Sequence, residues 1–96
     1  MHQSEIIKFR LYVAGNTQNS MQAVANLMHF CRTYLADRYE IEVIDVFTEP
    51  ARSLQDSVFM TPTLVKLSPV PTIKIVGTLS HTQVLLQALG LDFITS

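Results

Sequence analysis

The first half of the chain shows apolar residues at strand spacing and then at helical spacing. These two patterns constrain the fold more than any other feature. Residues 7–13 alternate apolar and polar side chains and end in a continuous apolar run, as a strand buried on both faces does. Residues 41–47 form a second β-prone run. Between the two runs, apolar residues recur at helical spacing and form one stripe: Met21, Val24, Ala25, Met28, Cys31 and Leu35. We therefore predict a βαβ unit with parallel strands.

The start of this helix allows several capping residues. Gly15 can adopt a positive φ and end the strand. Thr17, Asn19 and Ser20 are all suitable N-caps, and Asn19 with Gln22 three residues later resembles a capping box. Asp45, within the second apolar strand, is expected to have a structural role near the end of that strand.

The second half of the chain predicts a short helix, a proline-rich hairpin and a final helix. Thr48 and Pro50 mark the start of a helix over 51–59, whose buried candidates are Leu54, Val58 and Phe59. Pro62 is suited to the entry of a strand over 63–67, and Pro69 and Pro71 lie in the turn before a strand over 72–76. A helix over 83–89 is expected to begin after Ser80 and to end at Gly90, whereas 91–94 reads equally as a frayed end or a strand.

Composition restricts the class of protein. The 96 residues are enough for one domain, 1–96, and 48% of them are hydrophobic, with a mean hydropathy of +0.25. Such an apolar surplus predicts a homo-oligomer, a dimer or tetramer, or another partner. A net charge of −1 favours neither nucleic acid nor an anionic membrane. With one cysteine, no signal peptide pattern and no membrane-spanning run, we expect a cytoplasmic protein.

The predicted element order is that of a thioredoxin-like α/β domain, but the residues of thiol chemistry are not where that chemistry needs them. Thioredoxin-like enzymes place a Cys-x-x-Cys pair where the first strand meets the first helix, and here that position holds Asn16 to Ser20. Cys31 falls on the apolar stripe, as a small core residue does. His29 and Cys31 are too close in one helix to bind one metal together, and His81 is expected to be exposed. We therefore predict a non-enzyme with no metal and no cofactor.

Several blocks of the sequence resemble the KaiB family of circadian-clock proteins. These blocks, which together run from about residue 8 to residue 93, are Leu11–Thr17, Asn19–Ser20, Val43–Val46, Thr61–Leu64 with Lys66, the prolines Pro69 and Pro71, and Gly90–Asp92. The resemblance implies a regulator that binds the ATPase KaiC and modulates its phosphorylation and ATPase cycle. It also implies two folds: a homotetrameric ground state, and a thioredoxin-like monomer that binds KaiC and differs in its C-terminal half.

The resemblance also assigns expected roles to individual residues. It places the partner-binding surface near Arg10 and along the first helix, with Asn16, Thr17 and Asn19. It makes Pro62, Pro69, Pro71, Gly90 and Asp92 the candidate fold-switch residues. If the ground state needs a positive φ at Gly90 and the helical form does not, Gly90→Ala with Asp92→Arg should favour the monomer.

Two departures from the family pattern leave other functions open. Pro69-Val70-Pro71 replaces a run of three prolines, and the sequence stops at Ser96 without an acidic tail. One alternative is therefore a stress-response interaction module of the same family without a clock role. A separate alternative, which rests on the thioredoxin-like element order, is a redox enzyme, against which the missing thiol pair counts.

Overall fold

The computed structural model describes residues 5–91, and within them the chain forms four strands and three helices. The order confirms the βαβ-α-ββ-α arrangement predicted from the sequence. The elements are β1 (Ile7–Val13), α1 (Gln18–Tyr34), β2 (Tyr39–Asp45), α2 (Pro50–Gln55), β3 (Thr63–Ser68), β4 (Ile73–Val76) and α3 (Thr82–Ala88).

The four strands form one mixed sheet in the order β2-β1-β3-β4. Strand β1 lies parallel to β2, as expected for two strands joined by a crossover helix. Strand β3 is antiparallel to both β1 and β4, so the proline-rich segment is a hairpin. In this sheet β2 and β4 are the edge strands.

The two faces of the sheet carry cores of unequal size. Because side chains alternate along a strand, Phe9 and Leu11 face α1 and α3, whereas Tyr12 faces α2. The larger core contains buried residues of α1 and α3, including Leu27 and Leu86. The smaller one comprises Tyr12, Ile44, Val58 and Val65. Within residues 5–91, no helix combines the length and the apolar character that crossing a membrane requires.

The buried face of α1 matches the predicted stripe only in part. Its buried residues are Ser20, Ala23, Leu27, Phe30 and Cys31. Cys31, and Leu35 just beyond the helix, are buried as predicted, but Met21 and Met28 are exposed. The helix carries apolar side chains around much of its circumference, and contact with the sheet selected a face rotated from the predicted one. Several apolar residues of α1 therefore remain at the surface.

Other boundaries differ from the prediction around α2. The helix has six residues rather than nine, and Leu54 and Phe59 are exposed, while Val58 is buried as predicted. The chain turns at Ser57, which has a φ of 56°, and this turn directs Val58 onto the sheet. Strand β2 begins earlier than predicted and ends at Asp45, so the predicted strand residue Phe47 lies in a turn.

Helix α3 ends as the sequence predicts but begins differently. Gly90 has a φ of 75° and donates its N–H to the carbonyl of Gln87 at 3.1 Å, while Leu91 N–H reaches the Leu86 carbonyl at 2.7 Å. These bonds form a Schellman motif. The N-cap is His81 rather than Ser80, and its side chain makes no capping bond.

Candidate functional site

The loop between β1 and α1 presents the residues that the sequence assigns to partner binding. Thr17 is the N-cap of α1, but its hydroxyl bonds to Ser20 Oγ at 2.9 Å instead of capping the helix backbone. Ser20 Oγ also accepts the N–H of Ala14 at 3.0 Å. The buried Ser20 thus fixes the corner, and Asn16 and Asn19 extend from it into solvent. Asn19 lies within the helix, so the predicted capping box is wrong.

Asp45 holds this loop against the end of β2. Its Oδ1 accepts the N–H of Gly15 at 3.2 Å and that of Phe47 at 2.9 Å. Gly15 has a φ of 56°, and a Cβ there would lie 3.7 Å from the Phe47 ring. The structural role predicted for Asp45 is therefore confirmed, because its carboxylate joins two loops at one end of the sheet.

An apolar groove lies between α1 and β2, next to this corner. It has a volume of about 450 Å³ and is lined by Val13, Gly15, Asn16, Ser20, Met21, Val24, Ala25, Val43 and Asp45. Met21 is 59% exposed and Val43, on the edge strand, is also exposed. Three of its apolar side chains, Met21, Val24 and Ala25, belong to the stripe that the sequence analysis assigned to the core. Sequence analysis missed it because an unburied methionine has no local signature.

Arg10 does not join this surface. It belongs to the face of β1 that carries Tyr12, opposite α1, and its Nη1 lies 3.0 Å from Asp56 Oδ2. Its Nε lies 3.5 Å from Glu42 Oε1. This nitrogen is buried and makes no hydrogen bond. The structure therefore separates Arg10 from Asn16, Thr17 and Asn19, which the sequence analysis had grouped with it.

Burial and charged neighbours shift the pKa values of Arg10, Asp56 and Tyr12. The hydrogen bond to Asp56 raises the pKa of Arg10 above its ordinary value. Burial opposes ionisation of Asp56, but hydrogen bonds from Tyr12 and Arg10 outweigh it and lower the pKa of this carboxyl. Burial, followed by the bond to Asp56, raises the pKa of Tyr12 to about 12. The charges in this cluster are thus stabilised by one another, as in a structural ion network.

Cys31 is not placed for thiol chemistry. It is fully buried on α1, and burial raises the pKa of its thiol to about 12. The thiolate, which is the nucleophilic form, is therefore strongly disfavoured near neutral pH. His29 is exposed whereas Cys31 is buried, so the two point in different directions. Residues 5–91 contain no cluster of His, Cys, Asp or Glu side chains that could bind a metal.

Comparison with known proteins assigns the family. The family model described as the KaiB domain matches residues 10–91. The chain belongs to the KaiB family. It is 42% identical over 88 residues to the circadian clock protein KaiB3 of Synechocystis, covering 92% of this chain and 84% of that protein. It is also 42% identical over 85 residues to the circadian clock oscillator protein KaiB of Acaryochloris marina, covering 88% and 80%.

Solved structures show the fold of this KaiB-family chain to be thioredoxin-like. The N-terminal domain of Synechococcus elongatus SasA matches with a TM-score of 0.77 at 20% identity, covering 100% of this chain and 90% of that one. Mitochondrial thioredoxin 3 of Saccharomyces cerevisiae matches with a TM-score of 0.70 at 17% identity, covering 91% and 79%. At these identities the likeness concerns the fold alone.

The fold-switch residues implied by KaiB resemblance occupy separate places in this fold. Pro62 is buried directly before β3, as predicted, and its carbonyl accepts the N–H of Gly77 at 2.9 Å. Pro69 and Pro71 lie in and beside the β3–β4 turn, and the peptide bonds preceding all three prolines are cis. Asp92 lies outside the described residues, as does most of the ambiguous stretch 91–94.

Gly90 corrects one argument made from the sequence. That argument required the helical arrangement to do without a positive φ at this position, but Gly90 has a φ of 75° here. Alanine at this position would therefore strain the thioredoxin-like arrangement itself. The backbone reason for expecting Gly90→Ala to favour this form is wrong, and any such effect must come from a greater cost in the other fold.

Proposed function

We propose that this chain is a non-enzymatic regulator that binds a KaiC-like ATPase and modulates its phosphorylation and ATPase cycle in a circadian or other timing system. Family membership supports this proposal, since the relatives described above are named as circadian clock proteins. The position of Cys31 supports the non-enzymatic part, because a thiol buried in the helix cannot reach a substrate disulfide. We place its action in the cytoplasm, where a lone free cysteine is commonly found.

The observation that carries the proposal is the apolar groove between α1 and β2. Met21 and Val43 provide exposed apolar area there, and Asn16 provides a polar rim. An apolar centre beside polar side chains is the usual composition of a protein–protein contact. The groove also borders β2, an edge strand of the described sheet. We therefore propose that α1 with Asn19, β2 and the loop with Thr17 form the ATPase-facing surface.

A capture experiment with a purified KaiC-like ATPase tests this surface. Met21→Lys places a charge in the groove and should weaken capture at least tenfold, or by about 1.4 kcal/mol. Val84→Lys is a matched control, because Val84 is an apolar residue of α3 that is 50% exposed and lies outside the groove. The control should bind as the unmodified chain does.

The ATPase rate and the phosphorylation state of the partner should change when the chain is added, and Met21→Lys should reduce that change. No binding by the unmodified chain would contradict the proposed partner and leave the stress-response module as the better interpretation. Equal binding by both lysine variants would contradict the groove.

We also propose that the chain forms a homo-oligomer and that its C-terminal half has a second arrangement. Exposed apolar side chains that do not line the groove support an oligomer, among them Phe47, Phe59, Met60, Val70 and Val76. Light scattering at high micromolar concentration should give a dimer or tetramer mass, and a monomer mass alone would contradict this. Gel filtration and amide NMR of the Gly90→Ala, Asp92→Arg double variant test whether these positions control the balance between the two forms.

A further inference from the structure

Helix α2 is held on the sheet with little help from apolar packing. Ser53 is the buried residue of the helix, and Leu54 is 65% exposed. After the helix, Val58 reaches the smaller core, but the adjacent Phe59 is 79% exposed. Hydrophobic stabilisation scales with the apolar area removed from water, and this segment removes little of it beyond the Val58 side chain. Polar contacts must therefore supply much of what keeps residues 50–58 in place.

The inner polar contacts converge on Asp56. Its Oδ2 accepts the Tyr12 hydroxyl at 2.5 Å and the Arg10 guanidinium at 3.0 Å. The Tyr12 hydroxyl also lies 3.1 Å from the backbone oxygen of Arg52. Tyr12 is fully buried. Without Asp56, the Arg52 carbonyl would be the one acceptor left for the Tyr12 hydroxyl among these contacts. Both strand residues come from β1, at the centre of the sheet.

The outer polar contacts are more exposed. Arg52 forms a two-pronged bond with Glu42 of β2, at 2.6 and 2.8 Å, and lies 3.4 Å from Glu49. Lys74 of β4 reaches the backbone oxygen of Ser57 at 3.4 Å. Ion pairs between solvent-exposed side chains contribute little because water and salt screen them. The inner contacts of Asp56 are therefore the ones on which the segment depends.

We propose that Asp56 is an acid-releasable clamp: held by Tyr12 and Arg10, its carboxylate fixes residues 50–58 on the sheet, and its protonation opens this segment while the α1 side stays folded. Opening uncovers the smaller core, including Tyr12, Ile44 and Val65. The larger core does not include residues of this segment and retains its own packing. The device thus controls access to one face of the sheet.

The direction of the pH effect follows from the groups that face Asp56. Arg10 and Tyr12 of β1 and Lys74 of β4 act on Asp56 directly. Arg52 of α2, Glu42 of β2 and Glu49, the N-cap of α2, form the adjoining ion pairs. The folded-state pKa of Asp56 is depressed, so its stabilisation is complete above the ordinary carboxyl range and is lost as the pH falls through the folded value. The hydrogen bond from Arg52 also lowers the pKa of Glu42. Protonation of Glu42 therefore removes stabilisation as the pH falls, as protonation of Asp56 does.

Hydrogen-exchange NMR at neutral pH tests the clamp. In Asp56→Asn and in Tyr12→Phe, protection factors of the Asp56 and Val58 amides, which bond to carbonyls of the same segment, should fall about tenfold or more. Amides of Leu11 and Leu64 in β1 and β3 should remain far better protected than those of the segment in both variants, as expected for local opening. Asp37→Asn, which alters an exposed acid in the α1–β2 turn, is the matched control and should change neither set.

Acidification of the unmodified chain tests the clamp without a variant. Protection factors corrected for the intrinsic exchange rate should fall as the pH drops through and below the carboxyl range, and protection should be lost in 50–58 at a higher pH than in β1 and β3. Unchanged protection of this segment in Asp56→Asn would overturn the proposal. Equal protection of the segment and of the central strands in Asp56→Asn would also overturn it, because residues 50–58 would then open only when the whole domain unfolds.

Discussion

Replacing Arg10 separates its part in the ion network from any direct contact with a partner. Arg10→Gln removes the 3.0 Å bond to Asp56 and the 3.5 Å contact with Glu42. Hydrogen bonds to charged groups contribute about 1.5–3 kcal/mol. The side chains of Arg10 and Asp56 are 31% and 18% exposed, so solvent screening places the loss near the lower end, at about 1.5–2 kcal/mol. For a domain of this size, that lowers Tm by roughly 6–16 °C.

Lys8→Gln is the matched control for this variant. Lys8 lies two residues before Arg10 on the same strand and face, and its side chain is exposed. Loss of an exposed charge without such partners changes the free energy of unfolding by less than about 0.5 kcal/mol. Urea and thermal unfolding followed by circular dichroism measure both variants.

A double-mutant cycle completes the experiment. Arg10→Gln and Asp56→Asn should couple by about 1 kcal/mol, because each removes the same hydrogen bond. Equal stability of Arg10→Gln and Lys8→Gln, or a coupling energy of zero, would refute the structural role. In that case a loss of ATPase capture on Arg10→Glu, expected from the family resemblance, would reflect direct contact with the partner.

Four further results are expected. Cys31, whose thiol pKa burial raises to about 12, should react with a thiol reagent at mildly alkaline pH only after unfolding, and rapid stoichiometric labelling of the folded chain would contradict its burial. Leu27→Ala should lower the free energy of unfolding in urea by about 2–5 kcal/mol, whereas Met28→Ala, on the exposed side of α1, should lower it by less than about 1 kcal/mol. Similar losses in the two variants would mean that the buried face of α1 is wrongly assigned. Gly90→Ala should destabilise this arrangement by about 1 kcal/mol through backbone strain alone, since no atom lies within 4 Å of the added Cβ, and an unchanged unfolding midpoint would count against the Schellman end. The free energy of unfolding should fall with decreasing pH through the depressed pKa of Asp56, and Asp56→Asn should flatten that part of the profile; an identical profile would exclude Asp56 as its source.

Local sequence determined the elements whose signals lie within a few residues of one another. The alternation and apolar run in β1, the helical spacing after Asn16 and the β-prone run ending at Asp45 predict a parallel βαβ unit without further information. Gly90 marks the end of α3 because the left-handed conformation at that position favours glycine over every other residue. Pro62, which has no N–H to donate, marks the entry of β3.

Tertiary structure decided which face each element buries and which distant residues meet. Apolar side chains surround much of α1, so periodicity alone could not choose between the stripe of Met21 and that of Leu27; packing against the sheet chose Leu27 and left the groove exposed. Arg10 and Asp56 are 46 residues apart, and no local pattern relates them. Their pairing arises because the turn after α2 carries Asp56 over β1, a long-range contact that only the folded chain can form.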